Sequence, residues 1–329
     1  MRKLKVGMIS FAHGHANKFL QCLSRIEEVE IVGIADQDWS RVESPVNDYR
    51  LRYYSDYREL LASDADAVVI CSENTRHAQM TIDSARAGKH ILCNKPLGTT
   101  REDMESMIGA CRDNGVQLMT AFPCRYLPAV AKAKAALERG ELGEIAIIKG
   151  SNKGTAPRSW YTDRSLSGGG AFMDHIVHVM DLILWFTGWR AEEVYAEAGT
   201  LFHDIEVEDA GIVHVKFDNG AFAVIDPSWS RPKSYPASSD LKLNLIGSKG
   251  MMSLDAFAQT NELYSDDLTK AQWNYWGDDM YVYMIEGFVH ALLEGKQVPI
   301  TGEDGMHSTM VALAASESAR LGQPVKVLA

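Results

Sequence analysis

One stretch of the sequence inserts ionisable residues into a helix that is otherwise apolar. After the glycine run at 168–170 come Asp174, His178 and Asp181, at spacings of four and three residues. In a regular α-helix these positions lie on one face, and burying such groups is costly unless they are paired or used. A carboxylate aligned with an imidazole can act as a general-base pair. The alternative is a buried Asp–His hydrogen bond that only holds helices together, and this stretch alone favours neither interpretation.

Two polar residues directly follow apolar runs in the N-terminal half. Asp36 follows the predicted strand 31–35, and Lys95 follows the predicted strand 90–93, just before a proline. Ligands of parallel α/β sheets bind at the carboxyl ends of the strands, and an acid after the second strand bonds the adenosine ribose of NAD and repels the 2′-phosphate of NADP. The alternatives are a helix cap for Asp36 and a plain surface position for Lys95, and Arg41 nearby leaves NADP open.

Short apolar runs alternate with amphipathic segments over residues 1–122. This alternation is typical of a parallel α/β sheet covered on both faces. The predicted strands are 5–9, 31–35, 67–71, 90–93 and 117–121, and the predicted helices include 75–87 and 101–114. We assign residues 1–122 to one dinucleotide-binding domain.

The first strand-to-helix turn carries a degraded glycine fingerprint. Ser10, Ala12 and His15 stand at the three positions of G-x-G-x-x-G, with only Gly14 nearby. Small residues at the first two positions still permit a pyrophosphate to approach a helix N-terminus. His15 would crowd the packing of helix against strand, or the loop takes a different path. The alternative is an ordinary strand–helix turn with no ligand.

Beyond residue 122 the pattern changes to alternating polar and apolar residues, as in strands with one buried face. The segment Asp218-Asn219-Gly220 between two of these runs is a hairpin signal. The predicted strands are 145–150, 193–198, 211–217, 221–226 and 241–246, and the predicted helices are 129–139, 280–294 and 305–321. We expect a second α+β domain, 123–329, with a large, mostly antiparallel, open-faced sheet. Too few helices cover both faces, so a homo-oligomer is expected to bury the other one.

Composition narrows the class of protein. The chain has 329 residues and a net charge of −11, which disfavours nucleic acid as a partner because phosphate contacts need clustered Lys and Arg. Its five cysteines are an odd number without a CxxC pair, as is usual in a reducing compartment. Since no signal-peptide pattern and no membrane-length apolar run is found, we expect a cytoplasmic protein that does not contact a membrane.

Several short motifs follow one another along nearly the whole chain. They are 68–71 followed by Glu73-Asn74 and His77; Ala87-Gly88-Lys89-His90 leading into Asn94-Lys95-Pro96; Arg125 with Leu127-Pro128; the segment 140–144; 167–170 with Asp174, His178 and Asp181; Asp218-Asn219-Gly220; and Glu317-Ser318-Ala319. In this order and spacing they resemble the glucose–fructose oxidoreductase / inositol dehydrogenase / MocA family of NAD(P)-dependent dehydrogenases. The resemblance implies a doubly wound Rossmann domain, then an α/β domain whose open-faced sheet builds dimers or tetramers.

The resemblance also implies a chemistry and a set of residues. A hydride would pass between a carbinol carbon of a sugar, cyclitol or related polyol and nicotinamide C4. Lys95, Asp174 and His178 would be the catalytic set, with His178 as base, Asp174 as orienting group and Lys95 bonding the reacting oxygen. The cofactor, NAD with NADP not excluded, would contact Ser10, Phe11, Ala12, His13, Asp36, Ser72, Asn74, His77, Asn94 and Lys95. The substrate-binding candidates are Arg125, Tyr126, Trp160, Tyr161 and His175.

Two departures from the family pattern leave alternatives open. Asn94 stands where the family usually has Glu, so the lysine loses a charged anchor, and the glycine fingerprint is degraded. His175 also adds a second imidazole near the site. A metal-assisted sugar-modifying enzyme could use Asp174, His175 and His178, with His203, as zinc ligands. We expect no metal, because His175 and His178 flank different edges of one helix face. The other alternative, which Asn94 and the degraded turn favour, is a non-catalytic regulatory protein that binds nucleotide or sugar.

Overall fold

A computed structural model describes residues 2–237, 240–267 and 271–327. The chain forms two compact units. The first comprises Met1–Pro123 with Met280–Met306, and the second comprises Cys124–Asp279 with His307–Ala329. Within the described residues, no helix is long and apolar enough to cross a membrane. All five cysteines are buried, and none of them forms a disulfide bond.

The first unit contains a parallel sheet, as predicted, with six strands instead of the five predicted ones. Its strands are β1 (Leu4–Ile9), β2 (Val29–Ala35), β3 (Tyr53–Tyr54), β4 (Ala67–Ile70), β5 (His90–Cys93) and β6 (Leu118–Thr120), in the order β3-β2-β1-β4-β5-β6. The two-residue β3 was not predicted. Its helices in the first 123 residues are α1 (His15–Leu23), α2 (Trp39–Tyr49), α3 (Tyr57–Leu61), α4 (His77–Arg86) and α5 (Arg101–Asp113). The strand order reverses between β1 and β4, which is where dinucleotides bind in open α/β sheets.

The segment 280–306 packs with the first unit, whereas the sequence assigned everything after residue 122 to the second domain. The helix α9 (Met280–Leu293) packs on α1. The following segment pairs with the sheet edge, because Thr120 N donates to Ile300 O at 3.1 Å and Val298 N donates to Gln117 Oε1 at 2.6 Å. These bonds join residues far apart in the chain, and no local pattern announces them.

The second unit contains a seven-stranded mixed sheet. Its strands are β7 (Ile145–Ser151), β8 (Ala191–Gly199), β9 (Ala210–Phe217), β10 (Phe222–Asp226), β11 (Lys242–Gly247), β12 (Met251–Asp255) and β15 (Val325–Lys326), in the order β12-β11-β7-β10-β9-β8-β15. Only β7 and β10 pair in parallel among them. A separate hairpin, β13 (Thr260–Leu263) and β14 (Gln272–Tyr275), was not predicted.

The helices of the second unit are α6 (Pro128–Glu138), α7 (Arg164–Ser167) and α8 (Val177–Thr187), and α10 (Gly302–Leu321) crosses from the first unit into the second. Helix α8 lies close against the sheet: a Cβ at Gly150 would clash with Val179. The opposite face of the sheet carries exposed apolar side chains, among them Ile212, which is 50% exposed, and Met251, which is 67% exposed. The predicted open face is therefore present in the described part of the chain.

Candidate active site

The first turn of the first unit is closed onto Asp36. Phe11 N donates to Asp36 Oδ2 at 2.6 Å, and Asp38 N donates to Asp36 Oδ1 at 2.8 Å. Ser10 adopts a φ of 65°, in the left-handed region that favours glycine, which is the conformation expected of the first fingerprint position. Ser10 Oγ also donates to Asp36 Oδ2, at 3.4 Å, so three of the about four acceptor sites of the carboxylate are used and one remains for a ligand hydroxyl. The turn lacks the fingerprint glycines and is held by this acid instead.

His15 does not crowd the packing of α1. It begins that helix, and its ring turns to polar neighbours: Nδ1 lies 3.2 Å from Asn94 Oδ1, and Nε2 lies 3.2 Å from the hydroxyl of Tyr281. The ring of His13 lies 4.2 Å from that of His15, centroid to centroid. The loop thus takes the different path that the sequence left open. No local sequence pattern indicates Tyr281 as a neighbour, because it comes from α9.

Lys95 is buried in the loop after β5, and its neighbours fix that loop. Its backbone N–H donates to Asn94 Oδ1 at 3.0 Å. The imidazole of His77 lies between the carbonyls of Pro96, at 2.9 Å, and Ser72, at 3.3 Å. Burial lowers the pKa of His77, which favours the neutral ring. His77 and Ser72, predicted as cofactor contacts, are seen here tying together the loops that follow β4 and β5.

A cavity of about 200 Å³ lies at the carboxyl ends of β1 and β2. Asp36, whose side chain is only 3% exposed, lines it together with Ser10 and Arg41. This cavity lies where the strand order reverses, and Asp36 offers an acceptor oxygen beside it. Such a site fits the adenosine ribose of a dinucleotide. Of the predicted cofactor contacts, Ser10 and Asp36 line this cavity, whereas Asn74 is a buried neighbour in the loop after β4.

In the second unit, the predicted regular α-helix across Asp174 is wrong. Residues Phe172–Ile176 form a π-helical turn, and α8 begins only at Val177. A π-helical turn has more residues per turn than an α-helix, so the angular spacing of Asp174, His178 and Asp181 differs from that of a regular α-helix. Glu208 holds the residues that precede this turn. Gly170 N donates to its Oε1 at 2.8 Å, and Ala171 N donates to its backbone carbonyl at 2.9 Å.

Asp174 is held by two side chains that orient it. Trp229 Nε1 donates to Asp174 Oδ2 at 3.1 Å, and His175 Nε2 lies 3.3 Å from the same oxygen. The other ring nitrogen of His175 lies 2.8 Å from the carbonyl oxygen of Pro227, which fixes the ring. His178 lies half-buried in the first turn of α8. The predicted substrate contact His175 therefore supports Asp174, and Trp229 is a neighbour that the sequence reasoning missed.

Arg125 and Asp181 form a buried ion pair. Arg125 Nε lies 3.1 and 3.0 Å from the two carboxylate oxygens, and Nη2 lies 2.6 Å from Oδ1. Asp181, the second acid of the helix set, thus pairs with a predicted substrate residue. Burial raises the pKa of the neighbouring Tyr126 to about 12. The other two substrate candidates, Trp160 and Tyr161, stack with ring centroids 3.9 Å apart.

His203, the candidate fourth zinc ligand, belongs to a loop built around Asp209. The buried carboxylate of Asp209 accepts the backbone N–H groups of Leu201 and Phe202 at 2.7 and 3.0 Å, and His203 Nδ1 lies 2.9 Å away. Among the residues that the structure describes, no group of three or more His, Cys, Asp or Glu side chains is arranged to hold a metal ion.

Replacing Asp209 by Asn is expected to destabilise this loop and to change the acid response. Burial alone would raise the pKa of Asp209, but hydrogen bonds from the loop outweigh burial and lower it. Because the pKa of Asp209 is lower in the folded state than in the unfolded state, its carboxylate stabilises the fold at pH values above the unfolded pKa of about 3.9. That stabilisation is lost as the pH falls through the pKa of Asp209 in the folded state. In urea unfolding, the free energy of unfolding of wild type should exceed that of the variant by ~1–3 kcal/mol at pH 7. This difference should shrink as the pH is lowered. The exposed Asp204→Asn is the control, and an equal gap at all pH values would contradict this origin.

Together with the fold, the residues around Asp36 and those around Asp174 define a class of protein. A parallel sheet whose strand order reverses beside a buried acid, followed by an open-faced sheet domain, is the architecture of a two-domain oxidoreductase that binds a nicotinamide dinucleotide. The family described as an oxidoreductase family with an NAD-binding Rossmann fold matches residues 4–122, and the GFO/IDH/MocA C-terminal domain matches residues 130–253. The chain belongs to the Gfo/Idh/MocA family.

Individual relatives agree with this assignment. The chain is 32% identical over 320 residues to an uncharacterized oxidoreductase, YrbE, of Bacillus subtilis (strain 168), which covers 94% of this chain and 92% of that protein. It is 29% identical over 286 residues to myo-inositol 2-dehydrogenase of Thermotoga maritima, covering 83% and 84% of the two chains. The crystal structure of GenD2 from gentamicin A biosynthesis, in complex with NAD, has a TM-score of 0.90 at 23% identity over 100% of this chain and 97% of that one.

Proposed function

We propose that this protein is an NAD-dependent dehydrogenase that oxidises a CH–OH group of a sugar, cyclitol or related polyol, or runs the reverse reduction. The observation that carries the proposal is the Asp174 carboxylate, aimed by Trp229 and His175 and placed one turn before His178. A carboxylate fixed by two side chains is built to orient polar groups rather than to fill a core. The myo-inositol dehydrogenase relative supports a polyol substrate.

In the proposed reaction each residue has one task. His178 takes the proton of the reacting hydroxyl as general base. Lys95 donates a hydrogen bond to the same oxygen and stabilises the negative charge that develops there. Asp174 accepts hydrogen bonds from neighbouring substrate hydroxyls. His77 and Asn94 hold the loop of Lys95 in place, and His175 and Trp229 hold Asp174.

Binding of the cofactor is proposed for the first unit. Asp36 would accept the ribose hydroxyls, and the turn at residues 10–15 would lie against the pyrophosphate. When bound, the nicotinamide supplies the hydride acceptor for the carbinol carbon. The five buried cysteines, none of which forms a disulfide bond, are consistent with the proposed cytoplasmic location.

A substrate screen tests this proposal. Purified protein is incubated with NAD or NADP and a panel of sugars, cyclitols and sugar acids, while the absorbance band of reduced nicotinamide is followed. Turnover with at least one polyol is the expected result. Tight binding of NADH without turnover on any of them would favour the regulatory alternative, and turnover that depends on an added metal ion would favour the metal-assisted enzyme.

We also propose that the protein is a homo-oligomer joined through the open face of the second sheet. Ile212, Tyr195 and Met251 are exposed apolar residues on its strands. Apolar surface of this kind is stabilised by burial against a partner. Sedimentation equilibrium at micromolar concentration should give a dimer or tetramer, and Ile212→Lys should shift the mass towards the monomer. A single species near 36.4 kDa for wild type would contradict the proposal.

A further inference from the structure

A buried carboxylate beside the candidate cofactor cavity belongs to none of the groups assigned so far. Glu73 follows β4, and its side chain is 4% exposed. Its Oε1 lies 3.3 Å from Arg41 Nη1, and its Oε2 lies 3.6 Å from Arg76 Nε. Within the described residues Oε2 has no hydrogen-bond partner. Glu73 thus stands between two guanidinium groups, one on each carboxylate oxygen, and a buried charge needs such partners.

Glu73 and Asp36 share one cavity. Both line the space of about 200 Å³ at the carboxyl ends of β1 and β2, and Arg41 and Arg76 line it too. Asp36 comes from the end of β2 and Glu73 from the loop after β4, so two strands on either side of β1 each supply an acid. This cavity is the one to which the proposed function assigns the adenosine ribose.

Arg41 is the natural ligand for a 2′-phosphate in this cavity, but it is already engaged. Besides Glu73, its Nε lies 3.5 Å from Asp38 Oδ2 and its Nη1 lies 3.9 Å from Asp36 Oδ1. A guanidinium recognises phosphate by offering parallel N–H donors. A phosphate entering here would have to take Arg41 from Glu73 and would meet the negative charge of both acids.

We infer that Glu73 is a second determinant of NAD over NADP: it occupies Arg41 and Arg76 and adds its charge to that of Asp36. The inference rests on the proposed function, because it assumes that the adenosine end of the cofactor occupies this cavity. The preference for NAD would then depend on Glu73 in addition to Asp36, the acid at the end of β2. Removing the charge of Glu73 alone should weaken the hold on Arg41, which keeps its contacts to Asp38 and Asp36, and should free Arg76 from Glu73, while Asp36 stays in place for the ribose of NADH.

Direct binding measurements test the inference without relying on turnover. The Kd values of NADH and NADPH are measured by nicotinamide fluorescence for wild type and for Glu73→Gln, which keeps the side-chain size. The expected result is that NADPH binds roughly tenfold or more tightly to the variant than to wild type, the scale of one charge-assisted contact. The affinity for NADH should stay within about threefold. Adding Arg41→Met to Glu73→Gln should remove the gain.

The control is Glu43→Gln, which removes one carboxylate from an exposed position on α2, the helix that carries Arg41. It should leave both Kd values unchanged, apart from a long-range charge effect that added salt screens. An unchanged Kd for NADPH in Glu73→Gln that still binds NADH would overturn the inference. Loss of both cofactors would overturn it as well, since Glu73 would then shape the cavity. Wild type that binds neither cofactor would instead refute the proposed function.

Discussion

Replacing His178 by Asn, or Lys95 by Met, is expected to abolish most turnover while leaving NADH binding nearly intact. Asparagine approximates the size of the imidazole but takes no proton at neutral pH, and general-base help is worth ~10²–10⁴-fold in kcat. Methionine keeps the length of Lys95 without its donor, and losing one donor to a developing oxyanion costs ~10²–10³-fold. Both losses fall on the transition state, so kcat drops more than the cofactor Kd rises.

The pH dependence separates the two roles. An imidazole must be neutral to accept a proton, so wild-type oxidation should fall towards acid with a single titrating group, and this limb should vanish in His178→Asn. Lys95→Met should keep the limb at a lower rate. The controls are His290→Asn and Lys132→Met, which change the same side chains at exposed positions. A kcat within about threefold of wild type in either site variant, under ~1 kcal/mol of barrier, would refute the catalytic assignment.

Breaking the buried ion pair of the second unit should have the largest effect on stability. Arg125→Met leaves the carboxylate of Asp181 buried without its guanidinium, and removing one partner of such a pair costs ~3–5 kcal/mol. Urea unfolding followed by far-ultraviolet circular dichroism gives the midpoint for the variant. Replacing both partners, as Arg125→Met with Asp181→Leu, should recover most of the loss, since no lone charge is then buried.

The control for this pair is Arg139→Met, which breaks an exposed contact to Glu141 and should cost under ~1 kcal/mol. Kinetics on the double variant then address the predicted substrate role of Arg125. A raised KM at restored stability would assign Arg125 to substrate binding as well. A single variant as stable as wild type would show that the pair contributes nothing to the fold.

The parallel sheet was predictable because its strands are continuous apolar runs and its helices have amphipathic periods. Those signals are local, so the predicted bounds of β1, β2 and β4 differ from the observed ones by at most two residues. Five of the seven strands of the second sheet were equally readable, whereas β12 and β15 were not predicted. The pairing of residues 298–301 with the β6 edge could not be read from the sequence, because it depends on contacts with residues about 180 positions earlier.

The candidate site was predictable in its residue types but not in its connections. Apolar spacing predicts a helix through Asp174, yet the π-helical turn is held by Glu208 and Trp229, which lie far along the chain. Arg125 and Asp181 are 56 residues apart, so their pairing has no sequence signal. Glu73 stands within a recognised motif, but only the structure shows that its carboxylate is buried between arginines.

In the proposed reaction a hydride leaves a carbinol carbon of the substrate, and His178 takes the hydroxyl proton. The most direct test uses the polyol found by the screen, deuterated at that carbon, with NAD and wild-type protein. Mass spectrometry of the recovered reduced cofactor should show one deuterium per molecule formed, and His178→Asn should form far less of it in the same time. Reduced cofactor without deuterium, or deuterium transfer at an equal rate in His178→Asn, would contradict this mechanism.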